Sequence, residues 1–326
     1  MESRKDRSVT SRRRRFDSRA TAEDVLKGLD LSGKTILITG TTNGIGTETA
    51  RALAHHGAHV VMLNRNRDAA ERLRDELYSQ TRNRKIDLIT CDLASLQSVK
   101  EAAEKFIRKG WPLHALILNA GVMSPAAQVT KDDFNTTFGV NHLAHFYLTL
   151  LLKDRLISSA PSRVVVVSSN LHRHTGIDPK SSLDTKLRQL IPRPDTSASG
   201  MSLYSGSKLC NILFAFKLHR EIHQSGVNVN AVHPGVIFNT GLMGTGRTKV
   251  PSNLIPSNFT TTVQQGAATS VYCAVHPDLK HVSGHYFEAC WDDKSYLSRE
   301  LAEDKQLQDA LWSASVRMIR RAGFNI

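Results

Sequence analysis

Short β-branched apolar runs alternate along this chain with longer stretches in which apolar positions recur every three or four residues. Lys34–Thr39, His59–Leu63, Lys85–Thr90, Leu113–Asn119, Arg163–Ser168, Val227–His233 and Gly284–Phe287 read as seven strands. Between and around them, Thr47–His56, Asp68–Tyr78, Leu96–Arg108, Asp132–Lys153, Met201–Gln224 and Thr262–His276 carry the helical period, and Gly57 stands where it can end the first of these. The strands are apolar almost throughout rather than on alternate positions, as in the four consecutive valines of Arg163–Ser168. Such strands are covered on both faces, so the pattern predicts a doubly wound, seven-stranded parallel sheet flanked by helices in a single α/β domain.

Two stretches break the rhythm. Asn170–Gly200 is rich in Ser, Pro and charge, and Val236–Thr261 in Gly, Asn, Thr and Pro. Each follows a strand at its carboxyl end, where open α/β sheets place ligands, so both are expected to line a substrate site. Near the C-terminus Leu307, Leu311, Ala314 and Met318 fall on one helical face, which suits packing on the domain or on a second subunit.

Charge changes the picture only at the N-terminus. The net charge is +13, and residues 1–20 hold eight basic against three acidic side chains, a local +5. Residues 1–30 therefore read as a basic, solvated and disordered arm before a domain spanning 31–326. The arm has no apolar core and is no secretory signal, and no zinc-finger or recognition-helix pattern accompanies it, so nucleic-acid binding is a minor reading. No apolar run is long enough to span a bilayer, and Cys91, Cys210, Cys273 and Cys290 form no C-x-x-C pair. Reduced thiols place the chain in the cytoplasm, with the nucleus as the alternative.

The candidate chemistry lies in two motifs. The first strand runs into Thr39-Gly40-Thr41-Thr42-Asn43-Gly44-Ile45-Gly46, which leads directly into a helix. That places backbone N–H groups and the positive end of a helix where a pyrophosphate can lie close, because glycine leaves the approach open. At the end of the second strand, 18 residues beyond Gly46, stand Asn64 and Arg65 rather than an acid. An acid there would accept a ribose 2′-hydroxyl, whereas the guanidinium fork of Arg65 suits a 2′-phosphate, so NADP(H) is preferred over NAD(H). The second motif is Tyr204 with Lys208 four residues later, one helical turn away. A lysine so placed favours tyrosinate and fits the phenol for proton exchange at a reacting oxygen.

In order along the chain, these motifs resemble those of the short-chain dehydrogenase/reductase family, over roughly Gly33 to Phe287. The resemblance implies a Rossmann-type fold and extends to Asp92-Leu93 on the adenine side, Asn119-Ala120-Gly121 along the cofactor, Asn141 on a helix, Ser168-Ser169, and Pro234-Gly235-Val236 beside the nicotinamide. It implies a catalytic set of Ser169, Tyr204, Lys208 and Asn141. Ser169 would orient the substrate oxygen, and Asn141 would hold a water that links Lys208 to solvent. Gly40, Thr42, Asn43, Gly44, Ile45 and Gly46 would bind the cofactor together with Tyr204 and Lys208. The substrate would be a small carbonyl or alcohol compound, moderately apolar, of the steroid, retinoid or lipid-aldehyde class. The family's habit of forming dimers or tetramers implies a homo-oligomer.

Phe16-Asp17-Ser18, Ser207–Phe214 and Gln264–Thr269 are similar to the branch that holds the WW-type oxidoreductases and the retinol dehydrogenases. That branch shares the wide interval of 35 positions between Ser169 and Tyr204. The three tryptophans are Trp111, Trp291 and Trp312, so recognition through WW modules is not carried over. The chain departs from the family at Thr41-Thr42-Asn43 and at Asn239-Thr240, where the family often places its threonine one position earlier. A partner-binding regulator that keeps the cofactor fold is the alternative to an enzyme. His142 and His145 lack acidic or thiol partners in sequence and call for no metal, while His172 and His174 read as ordinary loop residues.

Overall fold

A computed structural model of the chain describes residues 15–125, 127–235, 261–292 and 294–326. Its elements begin with α1 (Ala22–Leu26), β1 (Thr35–Thr39), α2 (Gly44–His55), β2 (His59–Asn64), α3 (Arg67–Thr81), β3 (Ile86–Thr90), α4 (Leu96–Arg108) and β4 (Ala115–Leu118). After these come α5 (Thr136–Phe138), a π-helical turn at Gly139–Leu143, α6 (Ala144–Ser158), β5 (Ser162–Val167), α7 (Leu183–Leu190), α8 (Gly200–Ile222) and β6 (Val227–His233). The last are α9 (Val263–Val275), β7 (His285–Glu288), β8 (Trp291–Asp292), α10 (Arg299–Ala302) and α11 (Lys305–Arg321).

The strands form one sheet in the order β3-β2-β1-β4-β5-β6-β7-β8, parallel throughout except for β8. Apolar side chains of each strand alternate between two cores. Leu37, Val164 and Val166 face α4, α6, α8 and α11, while Ile36, Ile38, Val165 and Val167 face α1, α2, α3 and α9. Burial of each such side chain stabilises the fold by ~1.5–3 kcal/mol, which accounts for strands that are apolar on both faces. The strand order reverses between β1 and β4, so the carboxyl ends of those strands open a crevice at that point.

Four features differ from the sequence expectation. The sheet has eight strands among the described residues, not seven. Ala289 and Cys290 both adopt positive φ (48° and 58°), a two-residue reversal that folds Trp291–Asp292 antiparallel onto β7. Neither residue is the Gly or Asn that announces such a turn. Residues 15–30, expected within the arm, are instead packed on the domain: the Phe16 ring meets Tyr272 and His276 edge-on at 5.6 and 5.5 Å, and Thr21 with Asp24 forms a capping box on α1. Residues 1–14 of the arm, and the loop expected at 236–261 up to residue 260, lie outside the described residues.

The helix expected over Asp132–Lys153 begins at Thr136 instead. Asp133 has φ of 60°, and the Asp132 carboxylate accepts from Leu96 N–H at 2.8 Å, so both acids belong to a turn. Finally, the irregular stretch Asn170–Gly200 contains a 3₁₀ turn at Asn170–His174 and the helix α7. Lys186 on α7 pairs with Asp304 at 2.6 Å, and Asp304 also caps α11 through Leu307 N–H, so the insertion is tied to the C-terminal helix.

Candidate active site

The glycine turn joins β1 to α2. Gly40 has φ of 71°, and a Cβ on it would lie 2.9 Å from that of Ala120. A Cβ on Gly46 would lie 2.0 Å from the Gly40 carbonyl oxygen and 2.6 Å from Asn119 Nδ2, so the helix start and the strand end touch backbone to backbone. Asn43 caps α2 without any side-chain hydrogen bond, which leaves the first-turn N–H groups directed outward from an exposed Thr42-Asn43 rim. Gly44 and Ile45 are half-buried in that first turn. Such a cradle fits the pyrophosphate of a dinucleotide.

Neighbouring strands hold the turn in place. Asn64 Oδ1 accepts from Thr41 N–H at 2.7 Å while its Nδ2 donates to Thr41 Oγ1 at 2.8 Å. Asn119 Nδ2 donates to the carbonyls of Thr39 and Gly40, both at 2.9 Å. Arg65, next after β2, is exposed and makes no ion pair among the described residues, in contrast to Arg67, which pairs with Glu71 at 2.8 Å. The Asp92 carboxylate accepts from Ala94 N–H at 3.1 Å and Leu93 is half-buried, so this pair shapes the turn after β3.

Tyr204 and Lys208 lie on α8, which is capped by Ser199 accepting from Ser202 N–H. Four positions apart, they share a face and are buried at 6% and 2% exposure. Lys208 Nζ sits 5.3 Å from the Tyr204 ring centroid and donates to the Val167 carbonyl at 3.0 Å. Burial pulls the ammonium down to about 8. Burial also pushes the Tyr204 phenol up to about 12, with a hydrogen bond to Ser169 acting in the opposite sense. The sequence expectation of a phenol made more acidic is therefore corrected for the protein on its own: desolvation outweighs the Ser169 hydrogen bond.

The two serines that close β5 divide their work. Ser168 Oγ donates to the Lys208 carbonyl at 2.7 Å, whereas Ser169 faces the phenol and caps the 3₁₀ turn through Leu171 N–H at 3.2 Å. Asn141 is fully buried in the π-helical turn. Its Oδ1 accepts from Val122 N–H at 2.8 Å, and its Nδ2 donates to the Val122 carbonyl and to Ser207 Oγ at 3.0 and 2.9 Å. A Cβ on Gly121 would lie 3.4 Å from Asn141 Oδ1 and 3.5 Å from Lys208 Nζ, so the three groups converge. Pro234-Gly235 follows β6, and Val236 lies outside the described residues.

Sequence reading missed two participants. Asn211, one turn beyond Lys208, donates to the same Val167 carbonyl at 3.1 Å and steadies the acceptor of the ammonium. His172 is wholly buried rather than an ordinary loop residue. Its Nδ1 meets the Ser169 carbonyl at 2.7 Å, and its Nε2 accepts from Ser298 N–H at 3.1 Å. The spacing Ser-x-x-His was the available signal, but a loop histidine three residues from a serine carries none of that geometry by itself. His142 meets Ser315 on α11 at 3.0 Å, and no metal-holding cluster occurs among the described residues.

Known proteins resemble the chain in sequence and in fold. Residues 34–178 match the short chain dehydrogenase family profile. The chain is 41% identical over 309 residues to the WW domain-containing oxidoreductase of Homo sapiens, covering 94% of this chain and 73% of that one. It is 36% identical over 291 residues to retinol dehydrogenase 12 of Mus musculus, covering 89% and 88%. A blue fluorescent protein from a metagenomic library, solved in complex with NADPH, superposes with a TM-score of 0.61 at 25% identity over 79% of this chain and 96% of its own. By its family profile match and its relatives over most of its length, the chain belongs to the short-chain dehydrogenase family, as an oxidoreductase built on the NAD(P)-binding fold.

Proposed function

We propose that this chain uses NADP(H) to interconvert a carbonyl and an alcohol on a moderately apolar substrate of the steroid, retinoid or lipid-aldehyde class, with Tyr204 as the proton donor and acceptor. The observation that carries the reading is the meeting of the Tyr204 and Ser169 hydroxyls above a buried Lys208, at the carboxyl ends of the central strands and beside the glycine cradle. The nicotinamide, when bound, supplies or accepts the hydride. Ser169 holds the carbonyl oxygen in place and polarises it. Tyr204, protonated through neutral pH, hands its proton to that oxygen as negative charge develops there.

Lys208 steadies the resulting tyrosinate and, as the family resemblance implies, hydrogen-bonds the nicotinamide ribose. Asn141, its side chain immobilised by three polar atoms of its neighbours, presents its backbone carbonyl for a water that returns the proton from solvent. Arg65, with no partner among the described residues, is available to a 2′-phosphate, and this supports NADP(H) over NAD(H). The name of the retinol dehydrogenase relative supports the apolar substrate class. Assembly as a dimer or tetramer belongs to the same proposal and is read from light scattering.

The test is a panel of steroid, retinoid and aliphatic carbonyls with NADPH, run on the native protein and on Tyr204→Phe. The expected result is turnover that falls by at least ~10²-fold in the variant while NADPH still binds. Equal rates in the two proteins would refute the role of Tyr204. Silence across the panel, with a cellular effect that survives Tyr204→Phe, would shift the reading to a partner-binding regulator.

A further inference from the structure

The cofactor turn and the catalytic helices come from separate stretches of chain, yet one buried side chain touches both. His145 lies on α6, one turn after Asn141, at 1% exposure. Its Nε2 is 2.9 Å from Thr39 Oγ1, at the foot of the glycine turn, and its Nδ1 is 3.2 Å from the Asn141 backbone oxygen. The direction of each bond follows from counting donors. Thr39 Oγ1 accepts from Asn119 N–H at 2.9 Å and from Ala120 N–H at 3.0 Å, which fills both of its lone pairs. Its single hydrogen therefore points at His145 Nε2, which must be bare. The ring proton then sits on Nδ1 and is donated to Asn141. Burial, with Lys208 nearby, pulls the imidazole down to about 3, so the ring stays neutral at any working pH.

We propose that His145 is a two-ended positioning residue, whose bare Nε2 fixes the Thr39 hydroxyl under the cofactor turn while its Nδ1–H fixes the Asn141 carbonyl beside Lys208. It touches neither cofactor nor substrate. Through Thr39 it reaches the Asn119-Ala120 strand end as well as the glycine loop, and through Asn141 it sets the carbonyl to which the proposed water binds. A leucine of similar size would leave both the Thr39 hydroxyl and the Asn141 carbonyl short of a partner in a buried site. The catalytic half of the inference rests on the roles proposed above for Asn141 and Lys208, whereas the Thr39 half does not.

Two amide substitutions separate the ends. In His145→Asn the amide nitrogen falls near the former Nδ1 and can still reach Asn141, but nothing reaches Thr39. In His145→Gln the amide falls near the former Nε2 and can still reach Thr39, but Asn141 is released. On the full chain, the Kd for NADPH is measured by fluorescence titration, and kcat at saturating NADPH on a carbonyl that the native protein turns over. His145→Asn is expected to weaken NADPH about three- to tenfold and to lower kcat less than its counterpart does. His145→Gln is expected to lower kcat about three- to tenfold and to leave the Kd within about twofold.

Equal movement of the same parameter in both variants, or of neither, would overturn the proposal. Because a folding defect shifts both parameters together, the native protein supplies an independent readout. The ¹⁵N shifts of the His145 ring should show protonation at Nδ1, and protonation at Nε2 would overturn the assignment. If the native protein turns over nothing, the Kd comparison and the tautomer still decide the Thr39 half, while Tyr204→Phe judges the catalytic reading separately.

Discussion

Replacing Arg65 by alanine removes the one cation at the end of β2 that has no ion pair among the described residues. The side chain is exposed, so its loss should change stability by no more than ~0.5 kcal/mol. A hydrogen bond to a charged group contributes roughly 1.5–3 kcal/mol where water is excluded. Arg65 stands at the surface, where screening trims such a contact, so about 1–2 kcal/mol is the magnitude to expect, or roughly 5- to 30-fold in Kd. NADH has no 2′-phosphate and should bind native protein and variant alike, within about twofold.

The assay is a titration of NADPH and NADH against both proteins at low and high salt. The native preference for NADPH should shrink as salt rises, and the variant should show neither the preference nor its salt dependence. Arg65→Lys should restore only part of it, since a point charge lacks the planar fork. Native protein that binds NADH as tightly as NADPH, or an alanine variant that weakens both alike, would refute the reasoning. Arg67 would not rescue the result, because Glu71 already engages it.

Other expectations follow from the same geometry. Lys208 loses its proton as pH rises through about 8, so the rate of carbonyl reduction should fall along a one-proton limb there, and Lys208→Met should remove the limb together with most of the rate. Because its folded pKa lies below the ordinary 10.5, the unfolded chain binds more protons between the two values, and Lys208 should make denaturation harder as pH climbs across that window. Gly46→Ala sets a methyl 2.0 Å from the Gly40 carbonyl, which should abolish NADPH binding in a titration. The same change should cost ~1–3 kcal/mol of stability in denaturant melts. Asp304→Ala breaks the 2.6 Å pair with Lys186 and the cap on α11, for a loss of ~2 kcal/mol by calorimetry. Asp304 is held below the ordinary carboxyl range, so its stabilisation should be present near neutrality and fade as pH falls below about 3.8.

Legibility in the sequence tracked how local each cause is. The strands show in the residues themselves, since Ile36-Leu37-Ile38 and Val164–Val167 must be apolar on both faces. The glycine turn and the Tyr204–Lys208 interval show because close approach and helical pitch impose them at short range. The hydroxyl of Ser168, the amide of Asn211 and the rings of His145 and His172 act across 40 or more positions, except where they meet a near neighbour, and no spacing announces them. The π-helical turn that carries Asn141 is hidden inside a continuous helical stretch, Thr136–Ser158, where no residue type marks the extra position. Likewise α7 was obscured by its Ser- and Pro-rich surroundings, and β8 by a reversal built from Ala and Cys.

The contact between His172 and Ser298 bears on the order in which the molecule is made. Ser169 leaves the ribosome 129 residues before Ser298, whereas every strand that holds the glycine cradle comes earlier still. A nascent chain can thus complete the strands that carry the glycine turn while the serine beside the phenol still waits for its last tether. The glycine turn should therefore be in place before that serine is, and turnover should come last during biosynthesis.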